Sequence, residues 1–278
     1  MADPLSEVKE ADATGAIAEI YADIRNALRV PMVNLIFRHM ATVPGCLEWV
    51  WGNIGPAYAS GQATALAETL LGLQPALPVM IPGDAWGAER AAVAATCAAY
   101  ARANPANLLG LKALQFIMAE TGQARARRKP QRGLPVRPTA VEIAPLPPMA
   151  DPSALNDESK KLLAALTAQL HGNDGRVIPS FYRHFTAWPG LLSGLHGALA
   201  PLIADGALNE AAAALNRDAH GFARVLYLDC PATRLAPPPE AALATLNELL
   251  ELFPPNICKM TLIARVLGQA LERDGTIK

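Results

Sequence analysis

Aromatic side chains are scarce in this sequence, at 5% of its 278 residues. Few stacking platforms are therefore on offer to a single-stranded nucleic acid. A charge imbalance is also missing. The formal net charge is −1, so no bulk field draws the chain toward nucleic acid or an anionic membrane surface. Cysteines number four, Cys46, Cys97, Cys230 and Cys258, and no two form a CxxC. That spacing argues against a zinc ribbon or a thioredoxin-like redox pair, and it reads as four small buried apolar residues. Long apolar runs are lacking too. Stretches such as LLSGLHGALAPLIA are short and broken by Gly and Pro, so no membrane span is expected. The opening MADPLSEVKEADATG is polar and acidic and has no apolar core of a signal peptide. The expectation is a cytoplasmic protein. No glycine-rich phosphate loop, HExxH, GxSxG or EF-hand pattern occurs, and neither a cofactor nor a metal is expected.

What the chain does have is a helical apolar pattern and enough of it, at 51% apolar and 18% charged residues, to build a sizeable core. Ile17, Ile20, Tyr21, Ile24 and Leu28 share one face of a helix over 16–28. Leu162, Leu163, Leu166 and Leu170 do the same over 157–170, with Asn156 or Asp157 as the cap. Alanine-rich runs at 88–101 and 208–226, and leucine-rich runs at 240–252 and 257–272, are good helix formers. No run alternates as a strand would. The expected class is all-α.

The chain also carries an internal echo. With a shift of 145, residues 37–61 meet residues 182–206, and nine of 25 positions agree without a gap. Arg38-His39 meets Arg183-His184, and Pro44-Gly45 meets Pro189-Gly190. Leu47, Gly52, Pro56, Ala59 and Gly61 meet Leu192, Gly197, Pro201, Ala204 and Gly206. Five of these agreements are Gly or Pro, residues that constrain the backbone, so a shared chain path is implied. A weaker echo, with a shift of 149, sets Pro105-Ala106-Asn107 against Pro254-Pro255-Asn256, each taken to open a last helix. The reading is a tandem pseudo-dimer: a first helical repeat over 1–121, a Pro- and Arg-rich linker over 122–152, and a second repeat over 153–278. The basic run at 125–132 is read as solvated linker. Whether the duplicated chain pairs again as a homodimer stays open.

Several motifs then carry a family resemblance: LRVPMVNLIFR at 28–38, ATVPG at 41–45, Asn104-Pro105 followed by Leu108-Leu109, and FYRHFTAWP at 181–189. In order and spacing they resemble the group I 2-haloacid dehalogenases, which act on both enantiomers of small 2-haloalkanoic acids. The resemblance implies two similar helical halves with a site between them. It also implies direct hydrolysis: an Asp takes a proton from water, and that water displaces halide without a covalent intermediate. Such chemistry needs a base, a group that orients the water, and an apolar pocket for the leaving group.

Carried onto this chain, the water-orienting Asn is Asn104, although Asn before Pro is also a common helix cap. The position of the catalytic Asp is Phe181, which cannot accept a proton. Met32 stands where the family has a Trp, and Asn107 where it has a Tyr. Leu35, Ser180 and Tyr182 complete the expected pocket, with a small organic acid as the expected ligand. His184 and Asp174 are the substitute bases to consider, ahead of His171, Asp218 and His220. His184 and its counterpart His39 also suit a repeated structural bond to backbone. Arg38 and Arg183 suit a substrate carboxylate, or carboxylates within each half. The alternative to an altered hydrolase is a non-catalytic protein that binds a small apolar acid between the halves.

Overall fold

The computed structural model describes residues 5–75, 77, 89–119, 143–171, 177–230, 238 and 240–273. Among these residues there are ten α-helices and no strand: α1 Gly15–Leu28, α2 Leu35–Met40, α3 Cys46–Ala59, α4 Gln62–Gly72, α5 Arg90–Ala119, α6 Asp157–His171, α7 Ser180–Phe185, α8 Pro189–Ala204, α9 Ala207–Asp229 and α10 Glu240–Arg273. Most of the proposed linker, including the basic run at 125–132, lies outside the described residues, as does Asp174.

Local chemistry accounts for the helix boundaries. Apolar spacing of three and four buries Tyr21, Ile24 and Leu28 on one side of α1. Arg29 then closes the helix in the left-handed region, φ 53°, and its N–H reaches Arg25 O. The cap read at Asn156 is present: its Oδ1 accepts from Ser159 N at 2.8 Å. Gly61 and Gly206, which match under the 145-residue shift, both stand immediately before a helix with φ 81°. That backbone angle is strained for a side-chain-bearing residue and explains the glycine at each place.

The two longest helices differ from the sequence expectation. Pro105 and the Pro254-Pro255 pair were expected to stand near helix starts, because proline removes a donor and crowds the preceding turn. Instead α5 runs 30 residues through Pro105, and α10 runs 34 residues through Pro254 and Pro255. Asn104 is therefore mid-helix and caps nothing. Tertiary packing outweighs the local penalty, since α5 and α10 pack against each other as the central pair of the fold. One freed carbonyl is also recovered. Pro254 leaves Leu250 O without its helical donor, and Gln115 Nε2 of α5 supplies one at 3.1 Å.

Around this pair, α9 packs on both long helices, α4 lies against α5, α1 covers α3, and α6 covers α8. The buried apolar residues form one continuous core. All four cysteines lie in it, and none of them forms a disulfide among the described residues. Among the described residues, no single helix is long and apolar enough to cross a membrane.

Two extended segments pass alongside the short helices α2 and α7. Val8 N donates to Arg38 O at 3.0 Å, and Ala150 N to Arg183 O at 3.4 Å. His39 Nδ1 meets Ser6 O at 2.6 Å, and His184 Nδ1 meets Pro147 O at 2.8 Å. With a carbonyl as partner, each Nδ1 carries the proton and donates. The two histidines thus make the same backbone bond in two places.

Candidate functional site

The α5–α10 pair and the N-terminal turns of α2 and α7 enclose a cavity of about 50 Å³. From α5 come Tyr100, Asn104 and Asn107, spaced i, i+4, i+7 on one helix face. The facing side of α10 supplies Phe253, Asn256, Ile257 and Met260. From the α2 turn come Asn34, Leu35 and Ile36, and from the α7 turn Pro179, Ser180 and Phe181, with Val177 just before. A larger groove of about 530 Å³ runs beside Trp51 between α1 and α3, but it gathers none of the candidate residues.

Five residues singled out in the sequence meet at the smaller cavity: Leu35, Asn104, Asn107, Ser180 and Phe181. Met32 and Tyr182 are buried nearby without lining it. The sequence reading missed Tyr100, Asn34 and Asn256. Helical spacing could have found Tyr100, which stands one turn before Asn104. The echo between Asn107 and Asn256 could have found the third. Asn34 carried no signal beyond its place before an apolar run.

The wall is largely apolar, and its polar groups are amides and hydroxyls. Asn34 Nδ2 donates to Asn104 Oδ1 at 3.1 Å across the gap between α2 and α5. Asn34 Oδ1 and both amide atoms of Asn107 are buried and have no hydrogen-bond partner among the described residues. Tyr100 and Ser180 are hydrogen-bonded, and burial pushes the Tyr100 phenol well above its usual range, so it stays neutral. Phe181 is 1% exposed. Its ring meets Tyr100 at 5.0 Å and Phe185 at 4.5 Å between centroids, both at tilted angles favoured by aromatic pairs.

Behind the cavity lies a charged knot. Arg38 Nε bonds Glu7 Oε2 at 2.7 Å, and Arg183 Nη1 bonds Glu7 Oε1 at 2.9 Å. Arg38 also donates to Val33 O and, through Nη2, to Ser180 Oγ at 2.9 Å. The expectation of separate carboxylate contacts within each half is corrected here: both arginines share one carboxylate. Burial raises the Glu7 pKa, but the two guanidinium groups more than offset this and hold it below the ordinary value.

His184 does not line the cavity. Burial is the main cause that lowers its pKa to about 4, helped by the nearby Arg38 and Arg183 charges. It is neutral at pH 7. Of the weaker candidates, Asp218 accepts from Gln74 at 2.9 Å, and His220 packs on Phe116 at 4.9 Å. His171 ends α6.

The lowered His184 pKa has a consequence for stability. Between pH 6.5 and about 4 the unfolded chain binds a proton there and the folded chain does not. Stability is therefore full above pH 6.5 and falls as the pH drops to about 4, by about 3 kcal/mol for a fully realised shift. Urea midpoints measured across that window should decline on acidification, and His184→Gln should flatten the profile. A wild-type midpoint that stays constant over this window would refute the assignment.

No family model matches the chain. A stretch of 76 residues is 37% identical to an (R)-2-haloacid dehalogenase from Pseudomonas putida, covering 26% of this chain and 25% of that protein. The match thus spans about a quarter of the curated relative's length. Among solved structures, a D-2-haloacid dehalogenase mutant in complex with D-2-CPA superposes with a TM-score of 0.71. Its identity is 19%, over 97% of this chain and 98% of that one. A D-2-haloacid dehalogenase in complex with L-LA gives the same TM-score at 20% identity, over 97% and 99%. The chain shares the all-α fold of these dehalogenases over nearly its whole length.

Proposed function

We propose that this protein is a divergent relative of the 2-haloacid dehalogenases whose hydrolytic activity is lost or altered, and that its cavity binds a small, mostly apolar molecule. One observation carries this reading. Phe181, at the place where the resemblance puts the water-activating Asp, contributes an aromatic ring to the cavity wall. Among the described lining residues no carboxylate or imidazole stands in for it. Asn104 still lines the cavity, but its Oδ1 is engaged by Asn34. An amide can orient a water without being able to take its proton.

We also infer the tandem pseudo-dimer, with the cavity on its axis. Supporting this, lining residues pair under the two shifts: Leu35 with Ser180, Ile36 with Phe181, Asn104 with Phe253, and Asn107 with Asn256. The matched glycine angles and histidine bonds point the same way. Solved structures of the shared fold bind small haloacid and lactate ligands. A small organic acid is therefore the reference ligand.

The test is halide release from racemic 2-chloropropionate and 2-bromopropionate. Wild type should release no halide above the uncatalysed background, while Phe181→Asp should gain measurable release if the remaining frame is intact. Turnover by wild type would overturn the reading and direct attention to His184 and Asp174 as bases.

A further inference from the structure

Arg38 points one of its donors at a poor acceptor. Its Nε bonds Glu7, its Nη1 bonds Val33 O, and its Nη2 bonds Ser180 Oγ at 2.9 Å. Nη2 also meets Met149 Sδ at 3.7 Å. A thioether sulfur accepts weakly and carries no formal charge. The knot is unbalanced in the same sense, with two guanidinium groups on one carboxylate.

Met149 holds the place in the second extended segment that Glu7 holds in the first. Glu7 stands immediately before Val8, whose N–H donates to Arg38 O, and Met149 immediately before Ala150, whose N–H donates to Arg183 O. Both side chains then reach Arg38. The first segment supplies a negative oxygen at this place and the second a soft sulfur. That sulfur is also within reach of solution. Met149 is half-buried, whereas Met32, Met40 and Met260 are at most 6% exposed.

We propose that Met149 is an oxidation site, at which hydrogen peroxide converts the thioether to a sulfoxide whose oxygen Arg38 then holds. The sulfur lone pair turned to Arg38 is shielded, so the other one attacks the peroxide. The S–O bond forms as the O–O bond breaks; sulfur gives up two electrons, and the peroxide is reduced to water. Rotation about the flexible Cγ–Sδ bond turns the new oxygen toward Nη2. A hydrogen bond from a guanidinium to this polarised oxygen is charge-assisted. Methionine sulfoxide normally weakens the packing around it. Here it supplies the acceptor that the second segment lacks, and the effect on the fold is stabilising.

Limited hydrogen peroxide treatment of the full chain at pH 7.5, read by peptide mass spectrometry and thermal melting, tests this. Among the described methionines, Met149 should oxidise ahead of Met32, Met40 and Met260. Treatment should shift the wild-type melting temperature upward by about 2 °C or more relative to its shift in Met149→Leu, where the other methionines are equally exposed to oxidant. Met149→Gln, which sets a carbonyl oxygen near the place of the sulfoxide oxygen, should melt above wild type without peroxide. Met149 left intact while the buried methionines oxidise would overturn the site. An oxidised Met149 whose relative shift is zero or negative would overturn its capture by Arg38. The wild-type and Met149→Leu comparison decides the matter even if the Gln variant does not fold.

Discussion

Replacing Glu7 by Leu should destabilise the protein by about 3–5 kcal/mol, the cost typical of removing one member of a buried ion cluster. Arg38 and Arg183 have side chains only 2% and 8% exposed, and among the described residues Glu7 is the one carboxylate that both touch. Without it, two like charges face each other with little solvent to screen them. The Arg38 bonds to Val33 and Ser180 remain but supply no negative charge. A denaturant titration should show the lower stability, with a melting temperature reduced by roughly 10 °C for a chain of this size. The further substitution Arg183→Leu should restore part of the loss by removing the repulsion. A loss below about 1 kcal/mol would show that the knot is open to water and contributes as a surface pair does.

Gly110→Ala should also destabilise, against the usual rule. In an ordinary helix interior the change gains about 0.5–1 kcal/mol. At Gly110 an added Cβ would collide with Tyr58 Oη and stand 3.0 Å from two of its ring carbons. Tyr58 cannot move away without loss. Its hydroxyl donates to Ala106 O at 2.9 Å, and its ring packs on Trp51 at 5.3 Å. Overpacking costs about 1–3 kcal/mol, and a broken buried hydrogen bond adds about 1. The penalty exceeds the propensity gain, leaving a net loss of about 1–3 kcal/mol. Urea unfolding of the single variant and of Gly110→Ala with Tyr58→Phe checks it: the pair should recover part of the loss, because the hydroxyl is the nearest atom. A variant as stable as wild type would show that the α3–α5 contact is loose.

These two sites differ in how far the sequence foretold them. Amphipathic spacing placed α1 and α6 to within a residue, because a buried face leaves a local pattern. Prolines misled at α5 and α10, because their local cost is visible in sequence and the compensation is not. The Gln115 side chain that rescues Leu250 O comes from another helix, 135 residues away in the chain. Glu7 gave no signal at all: its role depends on two arginines brought together from positions 31 and 176 residues further on. The cavity was legible where a motif or a helical repeat marked it, as at Asn104, Asn107, Ser180 and Phe181. Asn34 was missed because its partner, Asn104, becomes its neighbour only after α2 docks on α5.

The four thiols offer a different use of the same packing. They sit on separate elements, Cys46 in α3, Cys97 in α5, Cys230 just past α9 and Cys258 in α10, and each is at most 1% exposed. Burial pushes the Cys46 thiol up to about 11 and Cys258 to about 12, so reactive thiolate is rare in the closed state. Alkylation at each position therefore waits for that part of the bundle to open. The native cysteines are four built-in reporters of local unfolding, one for each region of the core. A cysteine introduced on the surface would meanwhile accept a spectroscopic label alone, with no need to remove the others.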